Sequence, residues 1–183
     1  MQGATPSVAF AQIDAVRDYV MLDGIVFTPE RSALGDLPDW RALALEVAPL
    51  FGEPMAGEPA WEEHLVTHIQ RGTAWCVRDA NRMFAGGMWL SNASDDCLHI
   101  HWLAVARGMR RRGVGRALVL SALRQANGRP VHVVTFGAGH PGGAEAEAGR
   151  GLYRSLGFQP REHDPAPDGT PRELLVAVPV VDD

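Results

Sequence analysis

Lysine is absent from all 183 residues, so every permanently cationic side chain is an arginine. This excludes Schiff-base catalysis and any phosphate grip made by an ammonium point charge. Positive charge arrives instead as flat, forked guanidiniums, which suit bidentate contact with phosphate. Cysteine is scarce too: Cys76 and Cys97 are the only two. A disulfide between them is not needed, and they read as reduced thiols of a cytoplasmic chain. No apolar run approaches the roughly 18 residues of a membrane span. The opening "MQGATPSVAFAQIDAV" lacks the basic start and apolar block of a secretion signal. A net charge of −5 leaves no surface-wide basic footprint, so neither nucleic acid nor membrane is expected as a partner. The rest of the composition, 46% apolar and 21% charged, is that of a globular domain able to bury its own core.

The first 37 residues are the least legible. "DYVMLDGIVFT" (18–28) holds a candidate first strand, and "PERSALGDLP" (29–38) is rich in turn residues. "DWRALALEVAPLF" (39–51) reads as a helix, with Leu43, Val47 and Leu50 on one face. A second helix spans 60–72, with Trp61, Leu65, His68 and Ile69 on one side and Gly72 as its stop. The period then changes to two, giving strands over 73–79, 82–91 and 97–106. The third of these is apolar on both faces, as a central strand should be. A helix over 114–126, a strand over 130–136, a helix over 144–156 and two closing strands complete the pattern. The resulting order, β, α, α, β, β, β, α, β, α, β, β, predicts a mixed α/β sheet with helices on its faces.

Charge is distributed unevenly. Between residues 107 and 116, "RGMRRRGVGR" places five arginines in ten positions, where the central strand feeds the third helix. The first turn of a helix leaves backbone N–H groups unpaired, and its dipole makes that end positive. Glycine lets an anion approach the backbone closely, so this junction is suited to holding a phosphate or pyrophosphate. It is not a Walker loop, which needs Gly-Lys-Ser/Thr. Nor is it the dinucleotide fingerprint, because Leu118 stands where the third glycine belongs.

"LAVARGMRRRGVGRALV" resembles the signature of the GNAT superfamily of N-acetyltransferases, in which Arg/Gln-x-x-Gly-x-Gly/Ala opens a helix. Its core here is Arg110-Arg111-Arg112-Gly113-Val114-Gly115. "GLYRSLGF" (151–158) resembles the family's closing helix-to-strand motif, with its tyrosine at Tyr153. The resemblance covers about residues 73–180. It implies a single α/β (α+β) domain, with a mostly antiparallel sheet of about six or seven strands and about four helices. Residues 39–72 would form the substrate-side helices and 73–183 the acetyl-CoA-binding core, while 1–38 would be an N-terminal extension. The donor would be acetyl-CoA, with no metal. The backbone of Arg111, Arg112, Gly113, Val114, Gly115 and Arg116 would wrap its pyrophosphate, and the main chain of Leu103, Ala104 and Val105 would pair with its pantetheine arm. His99-x-His101-x-Leu103 further resembles arylalkylamine N-acetyltransferase, where two strand histidines relay the amine proton. Two departures stand out: Ala146 occupies a position that is asparagine in many members, and "GAGHPGG" (137–143) has the look of an insertion.

The implied activity is acetyl transfer to a primary amine of a small molecule or peptide N-terminus, by direct attack through a tetrahedral intermediate. An alkylamine has a pKa of roughly 10 and must lose a proton before it attacks a thioester. His99 and His101 suit that task at neutral pH. A strand amide freed by a bulge near Leu103 would hold the oxyanion, and the Tyr153 hydroxyl would protonate the departing thiolate. Read from the residues alone, His99 and His101 share a face with Cys97 and Leu103. Buried structural histidines stay open as the main alternative and zinc chelation as a lesser one, since no well-spaced third ligand follows beyond Cys97. His64, His68, His140 and His163 read as surface or loop residues, and Glu62 and Glu63 as a solvated helix face. Substrate would meet the lip "FGEPMAGEPAWEE" (51–63), with Glu53 and Glu58 facing an ammonium and Met55 and Trp61 an apolar body. The alternatives are a CoA-binding module without chemistry and an unrelated phosphate-ligand protein. Either a monomer or a homodimer fits.

Overall fold

Among the described residues, seven strands and four helices follow one another in the order expected from the sequence. The computed structural model describes residues 27–51, 58–94, 96–162, 166 and 169–179. The strands are β1 (Glu30–Arg31), β2 (Ala74–Arg78), β3 (Phe84–Ser94), β4 (Cys97–Val105), β5 (Val131–Phe136), β6 (Gln159–Arg161) and β7 (Arg172–Ala177). The helices are α1 (Leu37–Phe51), α2 (Pro59–Gln70), α3 (Val114–Ala126) and α4 (Gly143–Ser155). One correction concerns the first strand. β1 lies inside the stretch read as turns, while 18–26 of the expected strand lies outside the described residues. Two residues on a sheet edge carry no period to detect.

The strands lie in the order β1-β2-β3-β4-β5-β7-β6, which puts β4 at the centre as its apolar sequence demands. All neighbours are antiparallel except β4 and β5. Two cores sandwich the sheet. On one face α3 and α4 bury Val114, Leu118, Val119, Ala122, Tyr153 and Phe158 against Val77, Met88, Leu90 and Val131. On the other, α1 and α2 bury Trp40, Leu43, Val47, Leu65 and Ile69 against Trp89 and Trp102. Trp40 is fully buried, and its indole N–H donates to Ser32 Oγ at 3.1 Å. Glycine is required beneath it: a Cβ on Gly87 would come within 2.6 Å of Trp40 Cζ3.

The β3–β4 register slips between Trp89 and Leu90: Trp89 faces Trp102, but Leu90 faces Ile100, so His101 is an extra residue. This bulge reverses the sides of β4. Leu98 and Ile100 belong to the α3/α4 core, whereas Trp102 and Ala104 belong to the α1/α2 core. Leu103 and Val105 consequently pack on the α3 side. The expected sharing of one face by His99, His101 and Leu103 is therefore incorrect, because an inserted residue resets the two-residue period.

Candidate active site

β4 and β5 pair only at Leu98–Val131, His99–His132 and Ile100–Val133. β5 continues to Phe136 alongside β7, and β4 continues to Val105 alongside β3, so the two strands part company beyond Ile100. Leu103, Ala104 and Val105, the expected pantetheine contacts, lie on the diverging part of β4. A strand edge without a neighbour is a template for an extended ligand carrying amide groups.

The chain then turns through Arg107–Met109 into α3. Arg111 and Gly113 both have positive φ, +62° and +94°, and no side chain caps the first turn of α3. The first-turn amides of Val114, Gly115 and Arg116 thus lack a side-chain acceptor, which is the requirement for receiving an anion. The arginines divide the work. Arg110 turns inward, donating from Nε to the Val105 carbonyl at 3.1 Å and pairing with Glu145 at 3.0 Å. Arg111 and Arg112 are exposed, while Arg116 keeps a buried Nε without a protein acceptor. Val114 is a core side chain, so only its backbone faces outward chemistry. Gly115 packs closely: a Cβ there would lie 3.0 Å from Leu152 Cδ2. Glu46 of α1 accepts from the Arg107 amide and ties the turn to the opposite layer.

Four histidine rings form a row on the α1/α2 side of the sheet. His68 lies 6.4 Å from His101, His101 5.9 Å from His99, and His99 5.0 Å from His132, between ring centroids. Burial lowers the pKa of His99, with the neighbouring His132 and His101 adding to it; burial and His64 lower that of His101, and burial and His101 that of His68. Below their ordinary value near 6.5, all three are neutral at pH 7 and able to accept a proton. His68 is a correction. It is half-buried, stacks on Trp89 at 5.7 Å and bonds Thr73 Oγ1 at 2.8 Å. Its place on the apolar side of α2 was the available signal. His140 lies in a loop as expected, where it packs on Phe136 at 4.3 Å and accepts the Gly142 N–H at 3.0 Å. His64 is exposed as expected, and His163 lies outside the described residues.

Trp61 joins Trp40, Trp89 and Trp102 in an aromatic cluster on this face, 5.5 Å from Trp89 and 6.1 Å from Trp102. The indole N–H groups of Trp61 and Trp102 are buried without a protein acceptor. Glu58 is exposed at the start of α2; Glu53 and Met55 lie outside the described residues. Glu62 is not merely solvated but is held by both the Nε and Nη2 groups of Arg41; Glu63 is exposed. Tyr153 is 6% exposed, sits edge-on to Phe158 in the α3/α4 core, and burial raises its pKa above the ordinary phenol value. It remains a protonated donor at all physiological pH.

Residues 37–158, well over half of the chain, match the acetyltransferase (GNAT) family, and the chain belongs to that family. Acetyl-CoA is the family's acetyl donor. Among solved structures, a GNAT-family acetyltransferase from Bacillus cereus is 15% identical with a TM-score of 0.67, over 85% of this chain and 99% of that one. The PaiA N-acetyltransferase of Thermoplasma acidophilum, determined with coenzyme A, is 14% identical with a TM-score of 0.64, over 84% and 99%. A SpeG spermidine N-acetyltransferase chimera from Vibrio cholerae and hSSAT is 18% identical with a TM-score of 0.65, over 83% and 95%. At these identities the likeness establishes the shared fold. No curated protein matches the chain. Among the described residues, no helix is long and apolar enough to cross a membrane.

Proposed function

We propose that this chain transfers the acetyl group of acetyl-CoA to a primary amine on a small molecule or peptide N-terminus. The observation that carries the reading is a juxtaposition. The parting of β4 from β5 opens beside an uncapped helix start with positive φ at Arg111 and Gly113. The residues present fit the donor: amide donors at Arg111 to Arg116 for the pyrophosphate, and the β4 main chain at Leu103 to Val105 for the pantetheine arm. When bound, acetyl-CoA supplies an acyl thioester. His99 and His101 take the proton of the incoming amine. On the β4 edge that has parted from β5, a strand amide near Leu103 donates to the acyl oxygen as negative charge gathers there. Tyr153 returns a proton to the leaving sulfur. Trp61 and Glu58 line the acceptor side, which is assigned to residues 39–72, with 73–183 as the donor side. Two cysteines that form no disulfide with each other support a cytoplasmic location.

Release of free thiol from acetyl-CoA in the presence of arylalkylamines, polyamines, aminoglycosides or amino acids tests the activity. Saturable CoA binding without turnover across the panel would leave only a binding module. Two variants test the roles. Replacing Tyr153 with phenylalanine keeps the ring against Phe158 and should slow turnover by about 10²–10⁴-fold, with acetyl-CoA affinity nearly unchanged. An unaltered turnover number reduces Tyr153 to a packing residue. The double variant His99→Gln, His101→Gln should lose most rate at neutral pH. The deficit should narrow toward the amine's own pKa of roughly 10, where the substrate arrives already deprotonated. A deficit constant with pH assigns the pair a structural role.

A further inference from the structure

Register does for β4 what local spacing does not. Cys97 and His99 lie two residues apart on one face of the strand, and parallel pairing sets His132 of β5 directly beside His99. The ligand atoms of Cys97, His99 and His132 all fall within 4.8 Å of one another. A tetrahedral zinc ion with bonds of about 2.3 Å to sulfur and 2.0 Å to nitrogen holds such atoms about 3.4–3.6 Å apart. Side-chain rotations that close each pair by a little over an ångström therefore suffice, with the backbone fixed by the sheet. All three residues are half-buried, and Val134, next along this face of β5, is 41% exposed, so an ion has access from solvent. One thiolate and two imidazoles suit zinc and its borderline neighbours, whereas calcium and magnesium demand oxygen donors that this cluster lacks.

We propose that Cys97, His99 and His132 form a binding site for a divalent transition-metal ion of the zinc class, with its fourth position open to water. The site lies beside the acceptor side of the sheet and shares His99 with the proton path. An occupied site would withdraw His99 from that path and hold the enzyme inactive; this consequence, unlike the binding itself, rests on the proposed function.

Cobalt(II) alone, titrated into the reduced full-length chain, tests the binding. The expected result is a thiolate-to-metal charge-transfer band in the near ultraviolet, with the intense visible bands of a four-coordinate ion, saturating at one per chain and erased by zinc. Cys97→Ser should abolish the charge-transfer band. His132→Asn should weaken binding at least about tenfold, the smallest loss seen even for outer partners of a metal ligand. Absence of the band in the unaltered chain, its persistence in Cys97→Ser, or unchanged affinity in His132→Asn overturns the site. In the thiol-release assay, zinc at the concentrations that displace cobalt should inhibit the unaltered chain and spare Cys97→Ser. Binding without inhibition upholds the site and removes His99 from the proton path. Equal inhibition of Cys97→Ser overturns the link between site and activity.

Discussion

Arg111→Glu combined with Gly113→Asp should reduce CoA affinity by about a hundredfold while leaving the fold intact. Gly113 sits at φ +94°, and a Cβ there would have nothing within 4 Å, so an aspartate meets no clash. Aspartate tolerates positive φ better than most residues. Placed immediately before α3, its carboxylate can accept from the first-turn amides and serve as the missing cap. The same donors are then lost to a phosphate, and a second negative charge at position 111 repels it. Two charge-assisted hydrogen bonds, each about 1.5 kcal/mol or more, correspond to about two decades in affinity. The melting temperature should change little, because capping offsets the strain. Calorimetric titration with CoA measures the effect. Affinity equal to that of the unaltered chain would remove the pyrophosphate assignment, and with it the orientation of the thioester.

Trp40→Ala should have the largest effect on stability. The indole is wholly buried and touches Phe84, Trp89 and Trp102 at centroid separations of 5.4, 5.8 and 5.5 Å. Truncation of such a side chain costs about 3–5 kcal/mol, since the rigid sheet beneath cannot collapse into the space. In a chain of this size that lowers the melting temperature by roughly 10 °C or more. The complementary change, Gly87→Ala, forces a methyl group into the same ring and should cost about 1–3 kcal/mol. Thermal melts followed by far-ultraviolet circular dichroism distinguish these results from no effect. If Trp40→Ala melts within a degree or two of the unaltered chain, the indole cluster is not a structural core of this layer.

Much of this architecture was legible because its signals are local. α3 runs from Val114 to Ala126 as its periodicity indicates, bracketed by Gly113 at φ +94° and Asn127 at φ +48°, two residue types that tolerate left-handed backbone. The arginine-glycine run announced the anion-accepting turn for the same reason. What escaped was long-range. "CLHIHWLAV" alternates cleanly whether or not a residue is inserted into the ladder, so nothing in it reports that Ile100 and Trp102 face opposite layers. His132 carries no motif and lies 33 positions beyond His99; only strand pairing makes them neighbours. His68 was grouped correctly with the apolar side of α2, but its stacking on Trp89 depends on the packing of helix on sheet.

Position 101 therefore stands outside the ladder that holds the sheet, and what it asks for is set by chemistry rather than by packing. Excising the residue would set Trp102 directly after Ile100 on a regular strand, which preserves Trp89 opposite Trp102 and Leu90 opposite Ile100. Trp102 would still face the α1/α2 layer and Leu103 the α3 side, so both cores would keep their present residues. A chain lacking residue 101 should therefore keep its melting temperature while losing the proton acceptor proposed there, a split that thermal melts and turnover together would read.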